Sequence, residues 1–134
     1  MQKTQGHEKV IYGIGTDIIE VKRIKKAVVR FGNRFIRRIF TEHEIRYCEN
    51  KANSFQHFAV RFAAKEALLK AIGIGLRDGI LWRQIEIRND DLGKPQMFCS
   101  GICKKKLNEL HVKSLHVSLS HIEKYGVATI ILEN

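Results

Sequence analysis

The chain is short of cysteine, short of acid and without any apolar run long enough to span a bilayer. Its three cysteines, Cys48, Cys99 and Cys103, are too few and odd in number for a disulfide framework, and they fit reduced thiols in the cytoplasm. Cys99 and Cys103 can share a helix face, but two thiols without further ligands make a poor metal site. The opening MQKTQGHEKV lacks the apolar stretch of a secretion signal. No internal repeat, low-complexity tract or linker interrupts the chain. These absences leave a cytoplasmic protein with no membrane partner. At 134 residues it is expected to be one domain with a core of modest size.

The shortage of acid has a partner-level meaning. Twenty-four lysines and arginines face 14 aspartates and glutamates, giving a net charge of +10. Such a surface suits nucleic acid, an anionic membrane or an acidic protein. The charge is concentrated in residues 22–38, where Lys22, Arg23, Lys25, Lys26, Arg30, Arg34, Arg37 and Arg38 occur with no acidic residue between them. A solvated helix face would normally mix the two signs. A nucleic-acid module lacks support here, because neither an RNP aromatic motif nor a zinc-finger spacing is present.

What is present is densest at residues 58–75, FAVRFAAKEALLKAIGIG. Ala63, Ala64, Ala67, Leu68, Leu69 and Ala71 are strong helix formers. Glu66 and Lys70 lie roughly 40° apart around such a helix, at the border of a greasy sector that holds Phe58, Phe62 and Leu69. An exposed Glu/Lys pair at this spacing contributes only about 0.2–0.5 kcal/mol. On a partly buried rim, however, the carboxylate needs a cation or a metal. Gly73 and Gly75 supply positive φ or close backbone approach at the helix end, which suits a bulky anion.

The remaining elements read from periodicity. Residues 10–19 are expected to form a strand loosened by Gly13 and Gly15. Ile24, Val28, Phe31, Phe35 and Ile39 make a helical stripe, broken near Gly32. Thr41 and Glu44 form a capping box for a short helix ending near Lys51. The long helix is predicted over 55–72. Residues 81–88 form a strand with Ile85 and Ile87 inward, and 90–93 turn into a second strand over 95–98. A basic helix over 100–110 follows. Leu115, Val117 and Leu119 alternate with His116, Ser118 and Ser120 in a half-buried strand, and 127–132 closes the fold. The expected class is α+β, an antiparallel sheet packed on one long helix with a basic helical arm.

Asp17 near the end of the first strand and Glu66 in the long helix are oxygen ligands of the kind that suits Mg²⁺. Asp17 can equally cap the following helix, and Glu66 can simply pair with Lys70. Lys70 is a compact ammonium suited to a polyanion. His121, at a strand end, can leave the sheet and meet a ligand.

Three ordered blocks resemble one family. RFAAKEALLKAIGIG is similar to the central signature of the holo-acyl carrier protein synthases, the small 4'-phosphopantetheinyl transferases. GIGTDIIEVKRI at 13–24 resembles their N-terminal block, and LGKP at 92–95 with HVSLSH at 116–121 resembles their C-terminal half. The resemblance runs over roughly residues 10–132 and leaves 1–9 as an N-terminal extension to a single transferase domain at 10–134. It implies transfer of 4'-phosphopantetheine from coenzyme A to a serine of an acidic apo-acyl carrier protein, with release of adenosine 3',5'-bisphosphate, in fatty acid biosynthesis. It implies that Asp17 and Glu66 hold Mg²⁺, that Glu66, Lys70 and His121 act at the reacting phosphate, and that Lys70, Gly73, Lys94, Pro95, Ser120 and His121 bind coenzyme A. Arg23, Arg34 and Arg38 would dock the carrier protein. It also implies a homotrimer with active sites between subunits. Either a metal-bound water or Glu66 can take the serine proton.

Overall fold

A computed structural model describes residues 10–134; the extension at 1–9 lies outside the described residues. Strand β1 (Ile11–Glu20) leads into helices α1 (Val21–Phe31), α2 (Asn33–Ile39), α3 (Glu42–Glu49) and α4 (Ser54–Ile72). Strands β2 (Ile85–Asn89) and β3 (Pro95–Cys99), helix α5 (Gly101–Glu109) and strands β4 (Ser114–His121) and β5 (Tyr125–Glu133) follow. The α+β class expected from the periodicity is the one observed. The strands divide between two antiparallel sheets, β1-β5-β4 and the β2-β3 hairpin, where one sheet was expected. The reason lies before β2. Trp82–Gln84 is a 3₁₀ turn rather than strand, and Gln84 is tied to the start of α5 by Ser100 N–H (2.9 Å) and Cys103 N–H (3.2 Å). This sets the hairpin apart, and no ladder joins β3 to β4.

Helix α4 is the centre of the molecule. Its alanines and leucines are buried on nearly every side, so it has no wide solvent face. It runs across β1 and β5 at backbone contact distance. A Cβ added at Gly15 would stand 1.8 Å from the carbonyl oxygen of Ala67, and one at Gly13 would stand 2.0 Å from that of Ala71. These glycines therefore admit the helix rather than loosen the strand. Gly15→Ala must push α4 off β1, with an expected loss of about 3 kcal/mol, the upper part of the usual overpacking range. Urea unfolding checks this, and a loss within error of zero would mean the sheet yields instead.

Below β1, Ile19, Ile24, Ile36, Ile39, Phe40 and Leu68 fill the core, and Ala128, Ile130 and Leu132 of β5 press on α4. The opposite face of the three-stranded sheet is bare. Ile14 and Ile18 are 59% and 62% exposed there. No helix among the described residues is long and apolar enough to cross a membrane. Cys99 closes β3 while Cys103 lies in α5, so they share no helix face, and all three cysteines are free.

Candidate active site

The close approach of α4 to β1 brings Asp17, Glu66 and Lys70 together. Asp17 lies within β1, three residues before its end, and does not cap α1; that position belongs to Glu20. Its carboxylate accepts from Lys70 Nζ at 2.9 Å, and the same ammonium donates to the Thr16 carbonyl at 3.0 Å. Lys70 therefore turns to β1 rather than back to Glu66. Glu66 is half-buried. Burial and then the nearby Asp17 charge raise its pKa, against the pull of Lys70 and Arg23. A pair of carboxylates in mutual repulsion on a half-desolvated rim is a place where a cation lowers the energy.

No cluster of three or more histidine, cysteine or acidic side chains able to hold a metal occurs among the described residues. Two carboxylates beside open solvent fit Mg²⁺, which retains waters and completes its shell with substrate phosphates. They do not fit an all-protein structural zinc site, which requires four ligands. At the end of α4, Gly73 adopts φ 91° and closes the helix with its N–H on the Leu69 carbonyl at 2.9 Å. Gly75 is extended and has open space around it, so only Gly73 uses the left-handed freedom expected of the pair.

The other expected ligands lie elsewhere. His121 stands opposite Gly126 in the β4–β5 ladder, and Gly126 packs on Val60. The His121 ring meets His57, two and a half turns of α4 before Glu66, or about 13 Å of helix rise. Ser120 is on the outer face of the sheet, while His121 is on the inner one. Lys94 and Pro95 are at the tip and start of the β2–β3 hairpin. Within one chain, then, Asp17, Glu66 and Lys70 meet at the β1–α4 contact with Gly73 one turn further along α4, while His121 and the hairpin residues lie apart from them. Arg23 is exposed on α1 near Glu66; Arg34 and Arg38 are exposed on α2.

Sequence reasoning missed the tertiary role of three buried polar residues that tie the helices to the hairpin. Lys65 and Glu44 are both fully buried and pair at 2.7 Å. Lys65 also donates to the carbonyls of Ile39 (2.8 Å) and Trp82 (3.2 Å), and Glu44 accepts from Ile87 N–H (2.8 Å) as well as capping α3. Arg61 is 2% exposed, stacks 4.3 Å over the Tyr47 ring and donates to Asn89 at 2.7 Å. Asn89 in turn holds the Gly93 carbonyl of the hairpin turn. Arg61 and Lys65 occur one turn apart in a helix rich in alanine, leucine and phenylalanine, and that apolar setting was the available signal.

Comparison with known proteins gives the family. The family model described as "4'-phosphopantetheinyl transferase superfamily" matches residues 13–130. The chain is 47% identical over 125 residues to a holo-acyl-carrier-protein synthase of Koribacter versatilis, covering 93% of this chain and 100% of that one. It is 46% identical over 124 residues to the synthase of Geobacter sulfurreducens, covering 92% and 98%. The fold is similar to the crystal structure of the Neisseria meningitidis synthase, with a TM-score of 0.86, 38% identity and coverage of 93% and 100%. It is also similar to the Bacillus anthracis synthase in complex with CoA (3',5'-ADP), with a TM-score of 0.75, 38% identity and coverage of 92% and 96%. With the family model, the relatives and the fold in agreement, this chain belongs to the 4'-phosphopantetheinyl transferase superfamily.

Proposed function

We propose that this protein is a holo-acyl-carrier-protein synthase, moving 4'-phosphopantetheine from coenzyme A to a serine of an apo-acyl carrier protein in the cytoplasm. The observation that carries the reading is the Asp17–Glu66–Lys70 constellation at the β1–α4 contact, set within a family of transferases. Phosphoryl transfer asks the protein mainly for positioning and charge neutralisation. Asp17 and Glu66 would hold Mg²⁺, which when bound polarises the reacting phosphate. Lys70, 54% exposed at its side chain, is free to leave Asp17 and lie along the phosphates. The hairpin residues Lys94 and Pro95 would meet the adenosine side of coenzyme A and His121 its phosphates, with Ser120 binding coenzyme A from the other face of the strand end. Gly73 would leave room at the helix end. Incubation with coenzyme A, Mg²⁺ and apo carrier protein, followed by intact mass of the carrier, tests the reading. A gain of one phosphopantetheine supports it, and an unchanged carrier refutes it.

The separation of these residues favours assembly. His57, against which His121 packs, lies about 13 Å of helix rise before Glu66, and the exposed Ile14 and Ile18 of β1 offer apolar surface to bury. A closed homotrimer would seat the α4 end of one subunit against the hairpin and strand end of its neighbour. Lys70→Ala and His121→Ala chains, each poorly active alone, should then rescue one another partly after verified subunit exchange. A sole monomer peak in light scattering at micromolar concentration would remove this idea.

The carrier protein would dock on α1 and α2 through Arg23, Arg34 and Arg38, its acidic surface matching theirs. Arg23→Glu should raise the carrier KM by roughly tenfold while changing the coenzyme A KM little, and added salt should shrink the difference. An equal rise in both KM values would place Arg23 elsewhere.

A further inference from the structure

His121 ends β4 with its ring on the inner face of the sheet. The ring centroid is 5.1 Å from that of His57, with the planes at 66°. His57 is braced in turn by Tyr47, at 5.8 Å and 75°. Tyr47 carries the Arg61 guanidinium over one ring contact (4.3 Å) and the Lys51 ammonium over another (4.8 Å). The Nδ1 atom of His121 is buried and has no hydrogen-bond partner among the described residues.

That buried nitrogen restricts what His121 can do. A neutral imidazole has one N–H and one lone pair, and a charged one has two N–H groups. A buried N–H without an acceptor costs about 1–3 kcal/mol. A buried lone pair is tolerated more easily than a buried orphan donor. The cheaper arrangement leaves the lone pair on Nδ1 and the hydrogen on Nε2. His57 does not accept from Nδ1, since the two rings meet edge to face without a hydrogen bond. Burial first, then Arg61, His121 and Lys51, push the pKa of His57 down to about 4, so its ring is neutral at working pH. The charged groups that act on His57, Arg61 and Lys51, are both cationic.

We propose that His57 is a positioning residue that holds His121 as the neutral Nε2–H tautomer, so that His121 serves as a hydrogen-bond donor to an anion and not as a proton donor or acceptor. That the anion is a phosphate of coenzyme A rests on the transferase reading; the tautomer does not. The fold itself supplies the wall: His57 packs on His121 through the same helix that carries Glu66.

Two measurements on the full chain test this separately. Long-range ¹H–¹⁵N NMR of histidine-labelled protein without coenzyme A reads the tautomer, with His121 assigned by its loss in His121→Gln. The wild type should show Nδ1 bare and Nε2 protonated. His57→Phe, which keeps an aromatic wall, should preserve that state. His57→Ala, which opens the wall to water, should give exchanging tautomers. A wild-type Nδ1–H tautomer, or a His57→Ala spectrum identical to wild type, overturns the positioning role. In turnover assays, His121→Ala should lose roughly 10- to 100-fold in kcat/KM for coenzyme A, the value of one hydrogen bond to a charged group. His121→Gln, whose amide N–H can replace Nε2–H, should recover most of this with an unchanged pH profile. A His121→Gln enzyme as weak as His121→Ala, with a limb of the pH profile gone, assigns proton transfer instead and overturns the proposal. Wild-type activity in His121→Ala with the tautomer intact would remove the donor role and with it the place of His121 in the transferase site.

Discussion

Glu66→Gln should abolish turnover and weaken Mg²⁺ binding by about 100-fold or more, since changes to residues merely supporting a metal ligand already cost about 10–100-fold. The fold should not suffer. Burial and the Asp17 charge raise the Glu66 pKa, so in the folded protein its ionised form is the costly one. A raised carboxylate pKa means that stability falls as pH rises through it. Glutamine keeps the shape and removes that cost, so the Tm should hold or rise while activity vanishes. Asp17→Asn should give the same loss of turnover. It also breaks the ion pair with Lys70, but that lysine is largely exposed, and such pairs are worth at most about 1 kcal/mol. Steady-state turnover at limiting Mg²⁺, calorimetric titration of Mg²⁺ and thermal unfolding together decide the matter. Wild-type activity at limiting Mg²⁺ in both variants would move the metal away from these carboxylates.

Much of this architecture was legible because its causes are local. The Thr41–Glu44 capping box was visible four residues at a time, and both of its hydrogen bonds are present. The alternation of Leu115, Val117 and Leu119 has the inward register that β4 adopts against β5. Ile85 and Ile87 point inward as their spacing required, and the helical stripe breaks at Gly32, whose φ is 64°. The losses are all long-range. Gly13 and Gly15 looked like weak points in a strand because the helix that needs their missing side chains lies more than fifty residues later. Lys70 was expected to face a polyanion, with a pair to Glu66 one turn back as the alternative, yet its ion-pair partner is 53 residues away in β1. Glu44 was assigned its cap and nothing more, since neither Lys65 nor the Ile87 N–H is near it in the chain. Within the candidate site, the meeting of Asp17 with Lys70 beside Glu66 was not readable. That meeting depends on the antiparallel course of β1 along α4, which only the packed fold fixes.

The buried pair that sequence did not reveal should dominate the stability of the molecule. Lys65→Met is expected to cost about 3–5 kcal/mol, because it leaves the Glu44 carboxylate in the core without a counter-charge. That is a large part of the roughly 5–15 kcal/mol by which a domain is stable. Glu44→Gln should be less severe and should depend on pH. Burial already lowers the Lys65 pKa, and Glu44 is the leading force holding it up. Without that carboxylate the lysine can shed its proton in the fold, while in the unfolded chain it keeps the proton up to about 10.4. The unfolded state then binds more protons over that window, so the stability of Glu44→Gln should rise as pH rises from 7 toward 10. The double variant Glu44→Gln/Lys65→Met should recover most of the loss seen in Lys65→Met, because glutamine still accepts one of the N–H groups of Thr41 and Ile87 and no charge is left unpaired. Urea unfolding can be followed by the fluorescence of Trp82, the one tryptophan, whose carbonyl accepts from Lys65. A Lys65→Met loss below about 1 kcal/mol, the level of an exposed pair, would show that the core relaxes to water and that this contact does not hold α2, α3 and α4 to the hairpin.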